Sequence, residues 1–447
     1  MRVKMRGITR HLVVVSLLVA AACASVPRTT DRTGVSATLA ERTGTAVGTR
    51  GDATPGLPPG VTLDDGLAID EAVSVALWNN PDFLAALATL EIARADLVQA
   101  GLLKNPILSL LLPVGPKQFE AALNWSVDAL WQRPRRVEDA RLNAEAVASQ
   151  LVAHGVRLVG DVKVAYVDAL AAERAARVAA SQAALADQMA TMVAGRLALG
   201  DASDLEARMA RIDATRAEAV RATRTAERDR ARLRLLALLG MPSGTAPVML
   251  VDPGAVPASA CGTASAPLVA AALAARPDVR AAELHVEAAG ERAGLERAKI
   301  LTLTATIDMN GQGKEGFEAG PGVAVELPIL SQNQGGRARA AAELLQATRR
   351  YEAVRAAVAA EVETALVGFV EARAVETTLG SDLAASLARE RQQADRLYEA
   401  GEVSLFAALE MRQRLNDVEL SRIEVGLAAA RARARLEAAM GQRCPAN

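Results

Sequence analysis

Two periods divide the chain. From residue 135 to residue 199, small and apolar residues recur at alternating steps of four and three, from Leu151, Gly155, Leu158 and Val162 through a run of alanines to Ala190. That spacing predicts a coiled-coil seam, and the alanines permit close helix approach. At ~1.5 Å per residue, a helix over this stretch would be roughly 100 Å long. In two other places the period drops to two. Phe119, Ala121, Leu123, Trp125 and Val127 alternate with Glu120, Asn124, Ser126 and Asp128, and Leu301, Leu303, Ala305, Ile307 and Met309 alternate with Thr302, Thr304, Thr306 and Asp308. These are strand patterns. Each has a partner nearby, at 106–112 and 322–327, which predicts two β-hairpins and four strands.

The pattern occurs twice. Gly200 and Gly240 are separated by the same 40 positions as Gly401 and Gly441, an offset of 201. Each segment follows a long stretch without proline, from Pro134 to Pro242 and from Pro328 to Pro445. Short helices precede the hairpins in both halves, and Pro81-Asp82 matches Pro277-Asp278 as a helix start. The expected organisation is therefore a first structural repeat over 61–250, a linker over 251–264, a second repeat over 265–441 and a tail over 442–447, built from one duplicated unit.

Strands of about ten residues, apolar on one face and polar on the other, suit a membrane β-barrel with a wet lumen. On this reading Glu120 and Asp128 face the lumen, while Phe119, Leu123 and Trp125 face lipid. Four strands cannot close a barrel and open edges are not tolerated in lipid, so several chains would share one. A soluble four-stranded sheet with one buried face is the competing reading of the same alternation.

The N-terminus carries Arg2, Lys4, Arg6 and Arg10, then an apolar run from Leu12 to Ala22, then Cys23. The run is too short for a transmembrane helix and reads as a secretory signal over 1–22. Ala20-Ala21-Ala22-Cys23 resembles a bacterial lipoprotein processing site, which would make Cys23 the acylated first mature residue. Ala20 stands where leucine is usual. Residues 23–60, rich in Thr, Gly, Arg and Pro, read as a lipid-anchored flexible linker. Cys261 and Cys444 remain, a candidate disulfide in an oxidising compartment. Two unpaired thiols are the alternative.

Composition narrows the chemistry. A formal net charge of −1 and 2% aromatics give no support to nucleic-acid binding. Gly311 to Gly316 matches G-x-G-x-x-G, but it lies between two strands rather than opening a helix after one, so it reads as a turn. Beyond the signal, the histidines are His154 and His285, and neither has a cysteine or carboxylate at ligand spacing. No hydrolytic triad is readable, methionines are scattered, and neither an enzyme nor a cofactor is expected.

Several marks in order resemble the outer-membrane efflux protein family, the TolC-like channels, and specifically their lipoprotein branch. They are Asn79-Asn80-Pro81-Asp82, the run from Ala93 to Pro106, Glu326 to Leu330, Gly335 to Ala341, and the two turn segments 196–205 and 397–406. The resemblance covers about Leu63 to Gly441. It implies a mainly α fold: a long helical coiled-coil barrel plus four strands per chain, closing as a 12-stranded barrel in a homotrimer. It implies an outer-membrane duct extending into the periplasm that passively conducts substrates from an inner-membrane pump and a periplasmic adaptor. A lipid-anchored coiled-coil scaffold or adaptor without a channel, and the duct of a type I protein secretion system, are the rival expectations.

The resemblance also assigns residues. Gly200 and Gly401 would form the periplasmic tip turns. Relatives narrow the closed tip with two acids one turn apart on the last helix, and the matching positions are Ala407 and Glu410. Closed-state links in relatives match Glu206 and Tyr398, with Arg211 nearby, while Val403 replaces an arginine that some relatives carry. Glu206, Arg211, Tyr398 and Glu410 are thus gate candidates; solvated charges on helix faces are the competing reading.

Overall fold

The computed structural model describes residues 31–47, 56–112, 118–241, 248–252, 262–311 and 316–444, with the side chains of residues 317, 379–385, 395, 405, 406 and 409 outside the description. Among the described residues the chain is mostly helical with four antiparallel strands. Among the described residues the helices are α1 (Arg32–Thr43), α2 (Ile69–Asn79), α3 (Pro81–Gly101), α4 (Asp128–Ala198), α5 (Asp204–Leu238), α6 (Ser265–Ala275), α7 (Pro277–Ala298), α8 (Gln334–Glu399) and α9 (Leu405–Met440). The strands are β1 (Ile107–Leu111), β2 (Glu120–Ser126), β3 (Thr302–Gly311) and β4 (Phe317–Glu326). None of the described helices is long and apolar enough to cross a membrane.

The chain divides into two compact units. One takes in the described residues up to 35 with 85–152 and 277–356; the other takes in 36–84, 153–276 and the described residues from 357 on. The first holds the sheet, in the order β1-β2-β3-β4, every pair antiparallel. Its helical part packs Leu142 and Ala146 of α4 on Leu284 and Ala288 of α7. Arg292 of α7 reaches Asp139 of α4 at 3.2 Å, and Arg135 reaches Glu291 at 3.2 Å.

The second unit is built from the long helices. Val167 and Leu170 of α4 meet Ile423 and Leu427 of α9 in one cluster, and Leu366 and Phe369 of α8 meet Leu436 and Met440 of α9 in another. Fully buried Tyr166 shares its hydroxyl proton between the carbonyls of Leu67 and Val251, each at 2.6 Å. It thereby pins a short parallel bridge between Leu67 and Leu250. Burial pushes this phenol up to about 12.

The ends of α5 and α9 match bond for bond. Gly240 and Gly441 adopt φ of 63° and 71°, the left-handed conformation that glycine tolerates at a helix end. Gly240 N–H donates to Ala237 O and Met241 N–H to Leu236 O; Gly441 N–H donates to Ala438 O and Gln442 N–H to Glu437 O. Each bond lies 201 residues from its counterpart. The residue that ends each preceding short helix caps one carbonyl nearby: Asn80 Nδ2 donates to Leu238 O at 2.9 Å, and Arg276 Nη1 to Ala439 O at 2.8 Å.

Two expectations change. Within the segment 23–60, taken as a flexible linker, residues Arg32–Thr43 form α1. The reason is a local apolar pair: Val35 and Leu39, four positions apart, are both buried, and Asp31 Oδ1 accepts from Gly34 N–H at 2.7 Å at the helix start. Leu39 sits over Gly155 of α4, where a Cβ would lie 2.7 Å from Leu39 Cδ2. The glycine in the alanine seam thus makes room for α1. Second, α4 begins at Asp128, before Pro134 rather than after it. Pro134 falls in the second turn, where its missing N–H removes a single bond to the carbonyl of Leu130.

Candidate functional site

The register sorts the side chains of the sheet into two faces. Leu123 pairs with Leu108 on one side and Ile307 on the other, Trp125 with Ala305, Ala305 with Val323, and Leu303 with Val325. Side chains alternate along each strand, so these residues share one face. The opposite face carries Glu120 beside Asn310, Ala122 beside Asp308, Asn124 beside Thr306 and Ser126 beside Thr304. Thr306 Oγ1 donates to Asn124 Oδ1 at 2.8 Å, and Asn310 Nδ2 donates to Asp308 Oδ2 at 2.8 Å. Ile307, Val323 and Val325 are exposed, as are Leu108 and Leu110 of β1. β1 is less strictly sorted, since Ile107 and Leu111 fall on the polar face. The expected strand face is thereby observed at Ala121, Leu123 and Trp125. Asp128 departs from it: it opens α4, is buried, and accepts from Gln132 Nε2 at 3.1 Å.

β1 and β4 are the outer strands of the sheet, each paired on one side within the chain. Unpaired edges of this kind are templates for another strand. Among the described residues the sheet thus has two faces, an exposed apolar side and two outer strands.

The second candidate region is the pair of helical turns. α4 ends at Gly200 with φ of 82°, and α8 ends at Gly401 with φ of 73°. Gly200 N–H donates to Leu197 O and Asp201 N–H to Arg196 O, while Gly401 N–H donates to Tyr398 O and Glu402 N–H to Leu397 O. Ser203 and Ser404 then cap α5 and α9, each accepting from the N–H three residues on, at 3.2 Å. The turns differ at that third residue. Glu206 reaches back to Ser203 N–H at 2.7 Å and accepts from Ser203 Oγ at 2.8 Å, completing a capping box. Its counterpart Ala407 cannot.

The gate candidates have local partners. Glu206 is held below the usual glutamate range by the Ser203 backbone hydrogen bond first and the Ser203 hydroxyl second. It forms no hydrogen bond with Tyr398, whose side chain is partly exposed. Glu410 accepts from Arg414 at 2.7 Å, an exposed i,i+4 pair. Arg211 forms no ion pair among the described residues. The capping box of Ser203 and Glu206 went unread in the sequence although Ser-x-x-Glu is its signature. Cys444 is buried and disulfide-bonded. Cys261 and Cys23 lie outside the described residues, as does most of the Gly311–Gly316 turn. His154 sits edge-on to Phe83, ring centroids 5.9 Å apart, and burial lowers its basicity. His285 contacts Gln150 at 2.9 Å. Among the described residues no group of three or more His, Cys, Asp or Glu could hold a metal ion.

Residues 268–442 match the family model of outer membrane efflux proteins. The cobalt-zinc-cadmium resistance protein CzcC of Cupriavidus metallidurans is 26% identical over 279 residues, 60% of this chain and 65% of that relative's length. Among solved structures, CusC aligns with a TM-score of 0.65 and 22% identity over 88% of this chain and 98% of its own. The open-state MtrE outer membrane channel of Neisseria gonorrhoeae aligns with a TM-score of 0.64 and 17% identity over 89% and 98%. The fold is that of the TolC-like outer-membrane channels.

Proposed function

We propose that this chain, which carries the outer membrane efflux protein domain over residues 268–442, is the exit duct of a tripartite efflux system. Three copies would pool four strands each into a 12-stranded barrel, joining the edges of β1 and β4. The observation that carries this reading is the segregated sheet: thirteen or so apolar side chains on one face, a hydrogen-bonded polar face behind them, and two unpaired edges. A soluble scaffold has no use for an exposed apolar sheet face. The duct is passive; an inner-membrane pump supplies energy and cargo, and a periplasmic adaptor meets the tips at Gly200 and Gly401.

The finer assignments follow from that reading. Residues 1–22 are the signal peptide and Cys23 the acylated N-terminus. Residues 61–250 and 265–441 are the two structural repeats. Glu206, Arg211, Tyr398 and Glu410 act at the tip that must open, and Cys261 is the disulfide partner of Cys444. CzcC is named for cobalt, zinc and cadmium resistance, which supports divalent metal ions as the first cargo to test.

Native mass spectrometry of detergent-extracted protein from the membrane fraction tests the reading. A trimer carrying acyl chains is expected. A monomer released into the soluble periplasm overturns the barrel and leaves a lipid-anchored scaffold in its place.

A further inference from the structure

A small cationic cluster lies where α3 passes into β1, beside the apolar face of the sheet. Trp125 belongs to that face, and its indole Nε1 donates to Lys104 O at 2.9 Å. The bond fixes the segment Leu102-Leu103-Lys104 against the end of the sheet from which α3 and α4 leave. Leu102 and Leu103 are 50% and 37% exposed, and Lys104 is exposed too.

Two arginines of α4 hold the other side of the segment. Arg133 Nε donates to Gly101 O at 2.7 Å. Arg136 Nε donates to Ala100 O at 2.8 Å and its Nη2 to Leu102 O at 2.7 Å. These bonds satisfy the orphan carbonyls at the C-terminus of α3, where the helix dipole is negative. They leave both Nη atoms of Arg133, and Nη1 of Arg136, without a partner among the described residues.

The acids at the start of α4 and beside it on α7 are committed elsewhere. Glu138 pairs with Arg141 at 2.5 Å, Asp139 with Arg292 at 3.2 Å, Glu291 with Arg135 at 3.2 Å, and Asp128 accepts from Gln132. Among the described residues neither Arg133, Arg136 nor Lys104 has a carboxylate partner. Arg135 and Arg141, on the same stretch of α4, are paired with acids, whereas Lys104, Arg133 and Arg136 are not.

We propose that Lys104, Arg133 and Arg136, framed by Trp125 and Leu102-Leu103, bind the phosphate of an anionic phospholipid at the rim of the membrane band. The site rests on the outer-membrane reading above. Its chemistry matches the ligand at three levels. Guanidinium forks fit phosphate oxygens. A tryptophan with an apolar body and a hydrogen-bonded N–H suits the headgroup level. Exposed leucines continue the apolar face toward the acyl chains. The anchoring of Arg133 and Arg136 by backbone carbonyls presets their Nη groups, so little side-chain freedom is lost when phosphate arrives.

The test uses the full chain with Trp78→Phe and Trp131→Phe, which leaves Trp125 as the single tryptophan, in lipid nanodiscs. Brominated phosphatidylglycerol and brominated phosphatidylcholine are compared as quenchers of its fluorescence at equal mole fraction. The expected result is stronger quenching by the anionic lipid, with the preference falling about five-fold in Lys104→Gln, as for one surface cation removed. Lys104 is the residue to change because its exposed side chain holds no bond, whereas Arg133 and Arg136 also hold α3. Equal quenching by the two lipids, or a preference unchanged in Lys104→Gln, overturns the site and leaves membrane insertion standing. No quenching by either lipid overturns the outer-membrane reading as well.

Discussion

Thr306 and Asn124 face each other across β3 and β2, and the threonine hydroxyl donates to the asparagine carbonyl oxygen at 2.8 Å. One residue away, Leu123 faces Ile307 on the other side of the sheet. The bond marks the wet face and the leucine the dry one. Leu123→Arg is therefore expected to cost ~2–4 kcal/mol of membrane assembly, as for a cation at the lipid midplane. Asn124→Arg should assemble nearly as the parent does. The readout is the heat-modifiable oligomer in isolated membranes; equal yields from both variants would refute the orientation.

Gly200 and Gly401 offer a cleaner backbone experiment than most turns. A Cβ at either position meets nothing within 4 Å, so substitution strains φ and touches no neighbour. Alanine at each is expected to destabilise by ~1 kcal/mol, and asparagine by less. Gly155→Ala should behave differently, because its methyl group collides with Leu39 and displaces α1. Thermal unfolding of the five variants separates strain from collision.

The Ser203–Glu206 capping box carries a pH dependence of known sign. Its hydrogen bonds hold Glu206 below its ordinary value of 4.5. A depressed carboxylate stabilises the fold above that value, and the contribution disappears as pH falls through the lowered one. Hydrogen exchange at the start of α5 should therefore rise as pH drops below 4.5, after correction for intrinsic rates. Glu206→Gln should abolish the dependence, and Ser203→Ala should cost about 1 kcal/mol at neutral pH. The start of α9, where Ala407 replaces the acid, is the internal control.

Glu410 is paired with Arg414 rather than free. If three copies of Glu410 line a constriction, the arginine mutes their field. Arg414→Ala should then raise cation selectivity in planar-bilayer recordings, and Glu410→Ala should lower it. Unchanged selectivity in both places the pair on an outer helix face.

Tyr166 is the buried strut of the second unit. Tyr166→Phe removes the donor shared by Leu67 O and Val251 O, and only the Leu67 carbonyl keeps another partner, Val251 N–H at 3.1 Å. A loss of ~1–3 kcal/mol is expected in chemical denaturation. Because the buried phenol titrates near 12 rather than 10, its contribution holds below pH 10 and fades between the two values.

Much of this architecture was legible because it rests on periodicity. Leu123, Trp125, Ile307 and Ala305 announce a face by alternation, and Leu151, Leu158 and Val162 announce a buried seam. Other parts were hidden for physical reasons. α1 sits in polar surroundings, and two apolar residues four apart, Val35 and Leu39, give too short a stripe to outweigh them. The pairing of β2 with β3 joins segments separated by the whole first set of long helices, and no local signal encodes such a bond. The partners of Glu206 and Glu410 were readable, as Ser-x-x-Glu and as an acid four residues before an arginine. The link across the turns came from the family pattern rather than from these local signals, and a local partner at each acid does not test it.

The two turns share their hydrogen bonds but not their chemistry at the third helical position, where one presents a bonded carboxylate and the other a methyl group. In the trimer proposed above, three chains would display six tips alike in backbone and differing in charge at that position. A partner approaching such a ring would meet sixfold geometry and threefold electrostatics at once. Six identical partner arms would have to read the shared backbone, whereas three could select the acid-bearing tips alone.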